Sequence, residues 1–103
     1  MTTNIAEREL LYSVRGSAER NKLLLRIFAP FKIVEGTVNF QFDDGTAGCV
    51  WQIDGLPEQV TETAYGADSV QALQLAINFD GVLRSLRSKY DFYFPSGEQY
   101  FED

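Results

Sequence analysis

The chain contains no histidine and a single cysteine. Without histidine, the commonest general base and metal ligand near neutral pH is missing. Cys49 has no second thiol for an internal disulfide and no imidazole to activate it as a nucleophile. A lone cysteine favours a reducing compartment, so a cytoplasmic location is the expectation. Basic residues are missing over a long stretch: residues 36–83 hold no Lys or Arg, yet include Asp43, Asp44, Asp54, Glu58, Glu62, Asp68 and Asp80. With a net charge of −6, such a field repels phosphate backbones and anionic membranes and attracts a basic protein. The start, MTTNIAEREL, lacks the apolar run of a secretory signal. The longest apolar runs, such as LLL at residues 23–25, are too short to cross a bilayer. No Walker lysine motif and no Rossmann glycine pattern occurs. Asp43-Asp44-Gly45 resembles the opening of a calcium loop, but the later ligands of an EF-hand are missing. No catalytic residue, metal site or cofactor site is therefore assigned. Paired carboxylates in a cleft between helix and sheet remain the alternative chemistry.

What is present indicates an ordered fold. The 103 residues are 45% hydrophobic and 14% aromatic, which suits one domain with one modest core. Alternation predicts a strand over about residues 6–14, with Leu10, Tyr12 and Val14 on one side. GSAERN then reads as a loop, and KLLLRIFA as a second strand ended by Pro30. In VNFQFDDGTAGCVWQI two alternating runs flank Asp44-Gly45, a type I′ turn signal. A hairpin centred there pairs Phe42 with Ala47, Phe40 with Cys49 and Val38 with Trp51, with Gly48 as a bulge site. VTETAY is a further short strand. A long helix follows over about residues 68–89. Its apolar stripe is Ala72, Ala76, Phe79, Leu83 and Leu86, widened by Val70, Leu73 and Ile77. Gly81 inside it marks close packing on the sheet. YDFYF is the last strand. The expected class is α+β: a mostly antiparallel sheet of about five strands, order β-β-β-β-(β)-α-β, with the helix on one face.

GADSVQALQLA (residues 66–76) raises a separate question, since carrier proteins present a phosphopantetheine serine in a similar G-x-D-S string. A carrier domain is a helical bundle, and here the serine follows strands. The preferred reading makes Asp68 and Ser69 the cap and first turn of the helix, with modification of Ser69 the remote alternative. WQIDGL (residues 51–56) followed by GADSVQALQLA resembles a group of small uncharacterised bacterial proteins, over about residues 49–83. That resemblance implies a compact α+β domain and brings no catalytic residues. Small acidic proteins of this kind are also similar in character to immunity proteins that neutralise toxins. The functional expectation is a non-enzymatic protein-interaction module with a basic protein partner, self-association into a homodimer being a further candidate. Its candidate contact residues are Asp43, Asp44, Tyr93, Tyr100 and Phe101.

Overall fold

A computed structural model describes residues 3–102. Its strands are β1 (Asn4–Val14), β2 (Asn21–Phe28), β3 (Phe31–Lys32), β4 (Ala47–Asp54), β5 (Val60–Gly66) and β6 (Tyr90–Tyr93). Two short helices, α1 (Ser69–Ala76) and α2 (Asp80–Ser85), lie between β5 and β6. Every strand pairing is antiparallel, and the strands form one six-stranded sheet, so the class is α+β.

The hairpin expected at Asp44-Gly45 is not formed. Residues 37–46 contain no strand, and β4 is paired along both edges by other segments. On one edge β2 aligns Ile27 with Trp51 and Leu24 with Asp54, and β3 aligns Phe31 with Gly48. On the other edge β5 aligns Cys49 with Ala64 and Ile53 with Val60. A strand has only two hydrogen-bonding edges, so Val38, Phe40 and Phe42 find none free on β4. The turn itself has the wrong hand. Gly45 has φ +91°, but among the described residues only glycines have positive φ, so Asp44 does not meet the type I′ requirement. The turn closes instead with Thr46 N–H donating to Asp43 O at 3.2 Å.

β2 and β3 are one strand interrupted near Pro30. Between the Ile27–Trp51 and Phe31–Gly48 pairs, four residue steps on one chain face three on the other, which is a bulge. Beside the interruption the Cys49 thiol donates to the Phe28 carbonyl at 3.2 Å. Cys49 is completely buried, and burial raises its thiol pKa. Gly48 does not carry the bulge. It lies under the Phe31 ring, where a Cβ would stand 2.6 Å from Phe31 Cζ.

Alternation places Leu10, Tyr12, Leu23, Leu25, Cys49, Trp51, Ile53, Tyr90 and Phe92 on the buried face of the sheet. Each fully enclosed leucine there contributes roughly 1.5–3 kcal/mol over an exposed one. Ala72, Ala76, Phe79 and Leu83 complete this core from the helices. The helix expected over residues 68–89 is present as one helical segment over residues 69–85, shorter than expected and bent at residues 77–79, where α1 gives way to α2. The bend turns the Phe79 ring inward to 7% exposure, while Val70 and Ile77, expected in the core stripe, are 62% and 51% exposed. Close packing falls on a different glycine from the one expected. Nothing lies within 4 Å of a Cβ built on Gly81, whereas one on Gly66 would meet Ala72 N at 2.4 Å. Gly66 thus lets α1 touch the end of β5 backbone to backbone.

Asp68 has extended backbone, φ −151°, and its Oδ1 accepts from Gln71 N–H at 2.8 Å. Gln71 reaches back, its Oε1 accepting from Ala67 N–H at 2.6 Å, so the helix start is closed from both sides. Ser69 is exposed in the first turn and follows a sheet rather than sitting in a helical bundle. Asp68→Ala is expected to destabilise the protein by roughly 0.5–2 kcal/mol in denaturant unfolding, and Ser69→Ala by clearly less. Equal costs would contradict this assignment.

Candidate partner-binding surface

Residues 33–46 form a compact loop with a closed neck. Ile33 is buried, and its N–H donates to Thr46 O at 3.0 Å, extending the β3–β4 ladder by one bond. A loop of this length with adjoining ends is an Ω loop. Inside it Gly36, at φ +91°, shapes a turn in which Thr37 N–H donates to Val34 O at 3.1 Å. The loop carries its aromatics to the end of β5. Phe40 packs edge-on to Tyr65 with ring centroids 4.9 Å apart, and Phe42 packs on Phe40 at 6.4 Å. Phe40 and Tyr65 nevertheless remain 42% and 40% exposed. Asp43 and Asp44 stand in the same loop and help line a shallow depression of about 720 Å³ with Val38, Phe40 and Phe42.

The other acids of the base-free stretch divide into committed and uncommitted. Asp54 pairs with Arg26, which also approaches Glu7 at 3.5 Å. Glu58 accepts from Tyr90 Oη at 2.6 Å and faces Lys89 at 3.4 Å. Asp68 caps α1, and Asp80 accepts from Tyr100 Oη at 2.6 Å. Among the described residues, Asp43, Asp44 and Glu62 have no cation within ion-pair distance. Glu62, on β5 opposite Trp51, is exposed. Within this stretch the uncommitted negative charge therefore lies on the loop, with Phe40, and on β5, where Glu62 is on the face opposite Tyr65.

The remaining sequence candidates lie at the opposite edge of the sheet, and none of them is a spare aromatic. Tyr93 is half-buried under Arg20, whose guanidinium is 3.8 Å from the ring centroid, and its hydroxyl is 3.1 Å from the buried Ser13 Oγ. Phe101 is 8% exposed, in the core, with Arg84 and Arg87 stacked at 4.6 and 4.9 Å. Tyr100 accepts from Arg8 at 2.9 Å while donating to Asp80. Burial, then the Asp80 carboxylate, raises its pKa. These contacts bind the tail to β1 and α2. A cleft of about 290 Å³ between helix and sheet is lined by Ala6, Leu25, Ile27, Ile77, Arg8 and Asp80. Asp80, tied to Tyr100, and Glu7, facing Arg26, are its carboxylates. No group of three or more potential metal ligands occurs among the described residues. No helix among them is long and apolar enough to cross a membrane.

The family model described as Domain of unknown function (DUF6968) matches residues 6–83. The chain belongs to that family. No curated protein and no solved structure matches it. The DUF6968 segment includes the Ω loop, β5 and α1, and it excludes β6, Tyr93, Tyr100 and Phe101. Phe40 and Tyr65 are the surface residues that sequence reasoning missed. The expected hairpin sets Phe40 opposite Cys49 and so turns it inward. For Tyr65 a signal existed, since it falls with Thr61 and Thr63 on the polar side of the β5 alternation.

Tyr90 fastens the turn between β4 and β5. Its ring meets Tyr12 edge-on at 5.3 Å, and Tyr12 Oη donates to Gly55 O at 2.7 Å. The hydrogen bond to Glu58 holds that carboxylate below its usual pKa range. The same bond, with burial, pushes Tyr90 up from 10 to about 12. A raised folded-state pKa means that the Tyr90 contribution is complete below pH 10 and lost as pH rises through about 12. The Glu58 contribution is instead lost as pH falls through its depressed pKa. Ultraviolet titration should show one tyrosine ionising near pH 12, absent in Tyr90→Phe and shifted toward 10 in Glu58→Gln. An unchanged titration in Glu58→Gln would refute the linkage.

Proposed function

We propose that this protein is a non-enzymatic interaction module that binds a basic protein partner through the Ω loop and β5. The observation that carries this reading is the coincidence of uncommitted acids with uncommitted aromatics. Asp43, Asp44 and Glu62 lack cationic partners among the described residues; Phe40, in the loop with Asp43 and Asp44, forms an exposed edge-to-face pair with Tyr65, and Glu62 is on the other face of β5. Aromatics anchor interfaces, and a complementary field steers association and selects among partners. Arginine suits both features, since it can pair with a carboxylate and stack on a ring. The finer reading is immunity-like: a small acidic protein that occludes a basic site on another protein. A cytoplasmic setting accords with a buried, reduced Cys49.

The carboxylate-enzyme alternative is weaker, because both acids of the helix–sheet cleft already have partners. Affinity capture from the source cell should recover a stoichiometric basic protein whose retention falls as salt rises. Phe40→Ala with Tyr65→Ala should weaken binding by about 2 kcal/mol, roughly thirtyfold in Kd. Undiminished binding by this double variant, or no stoichiometric partner at low salt, would count against the proposal.

A further inference from the structure

The two outer edges of the sheet are finished differently. Beyond β6 the chain turns at residues 95–97 and returns alongside it. Phe94 N–H donates to Glu98 O at 2.8 Å, Tyr100 N–H donates to Phe92 O at 3.0 Å, and Tyr93 bridges Gln99. That edge is covered. At the other edge, β5 pairs with β4 and with no other strand among the described residues. It is seven residues long and contains no proline and no lysine, two common means of blocking an exposed edge. Thr61, Glu62 and Tyr65 are exposed along it. An open edge offers a row of backbone donors and acceptors to an incoming strand.

Charge decides between occupants. A second copy would bring Glu62, Asp43 and Asp44 against the same acids, with no base supplied by residues 36–83 of either chain. A cationic strand would meet complementary charge, and its side chains on one face would reach the Tyr65–Phe40 pair.

We propose that the free edge of β5 takes up an extended, basic segment of the protein partner as an added antiparallel strand. Main-chain hydrogen bonds would supply affinity, while the aromatic pair on one face of β5 and Glu62 on the other select arginine or lysine at positions of the added strand that face them. This rests on the reading of the loop and β5 as a partner surface and specifies how that surface works.

The test uses the full chain, labelled with ¹⁵N, and two synthetic peptides of equal charge. One alternates arginine with threonine and can pair as a strand; the other alternates arginine with proline and cannot. At about ten times its Kd, the arginine–threonine peptide should slow hydrogen exchange at alternate β5 amides about tenfold. The proline peptide should leave them unchanged. Glu62→Pro and Thr63→Pro provide the check, because successive amides point to opposite edges. One substitution removes a β4 bond and lowers the melting temperature; the other keeps the fold and should abolish the protection. Binding of both peptides at Asp43, Asp44 and Tyr65 without β5 protection would overturn the added strand and leave the partner surface standing. Binding of neither would overturn both. Protection of β5 in the protein alone, with a dimer in sedimentation, would show that a second copy is the occupant and overturn the proposal.

Discussion

The structure depends on the placement of β4 with both of its edges in use. The β2–β3 segment runs along one edge, and β5 along the other. Burial makes this arrangement favourable: Cys49, Trp51 and Ile53 all lie in the core, and neighbours on both sides shield their backbone from water. Once those pairings are made, the segment before β4 finds no free edge on β4 itself. It closes on itself as an Ω loop through the Ile33–Thr46 bond and sets its aromatics against Tyr65. The exposed Phe40–Tyr65 pair is thus a consequence of strand competition at β4. The bulge near Pro30 follows from the same constraint, since β2 and β3 must share one edge, and beside it the Cys49 thiol donates to the Phe28 carbonyl.

The two ends of the sheet then differ in chemistry. At the β6 end, arginines lie over aromatic rings, Arg20 on Tyr93 and Arg84 and Arg87 on Phe101, and the returning tail covers the strand edge. Those cations and aromatics are spent on one another, while Phe94, packed on Tyr100, stays 41% exposed. At the β5 end no arginine or lysine is supplied by residues 36–83, so acids and aromatics face outward together. Cation–π contact is worth about 0.5–1 kcal/mol at exposed sites. The same pairing that closes one end within the chain is what the proposed basic partner would complete at the other.

Local features of this fold were legible in the sequence where a decision was local. The α+β class follows from strand alternation and a single helical region. The Asp68 cap follows from residue type and position, and the inward set Cys49, Trp51 and Ile53 follows from period-two alternation. Non-local competition was not legible. Nothing within VNFQFDDGTAGCVWQI reveals that β2 and β5 outcompete a neighbouring segment for β4. The helix break was hidden for a related reason, because stripe periodicity continues through residues 77–79 while the bend depends on where the sheet lies beneath Phe79. Of the proposed surface, Asp43 and Asp44 are the residues that charge alone points to. Phe40 was not legible, because its face depended on the hairpin that does not form. Tyr93, Tyr100 and Phe101 were misjudged because their arginine and core partners are distant in sequence.

The occupancy of β4 can be read directly from cross-strand contacts between backbone protons in a nuclear Overhauser spectrum. The account predicts contacts of Cys49 with Ala64 and of Trp51 with both Ile27 and Glu62, and none between Phe40 and Cys49. A Phe40–Cys49 contact, accompanied by loss of the Cys49–Ala64 contact, would restore the local hairpin. It would also remove the physical basis for the exposed aromatic pair and the open β5 edge.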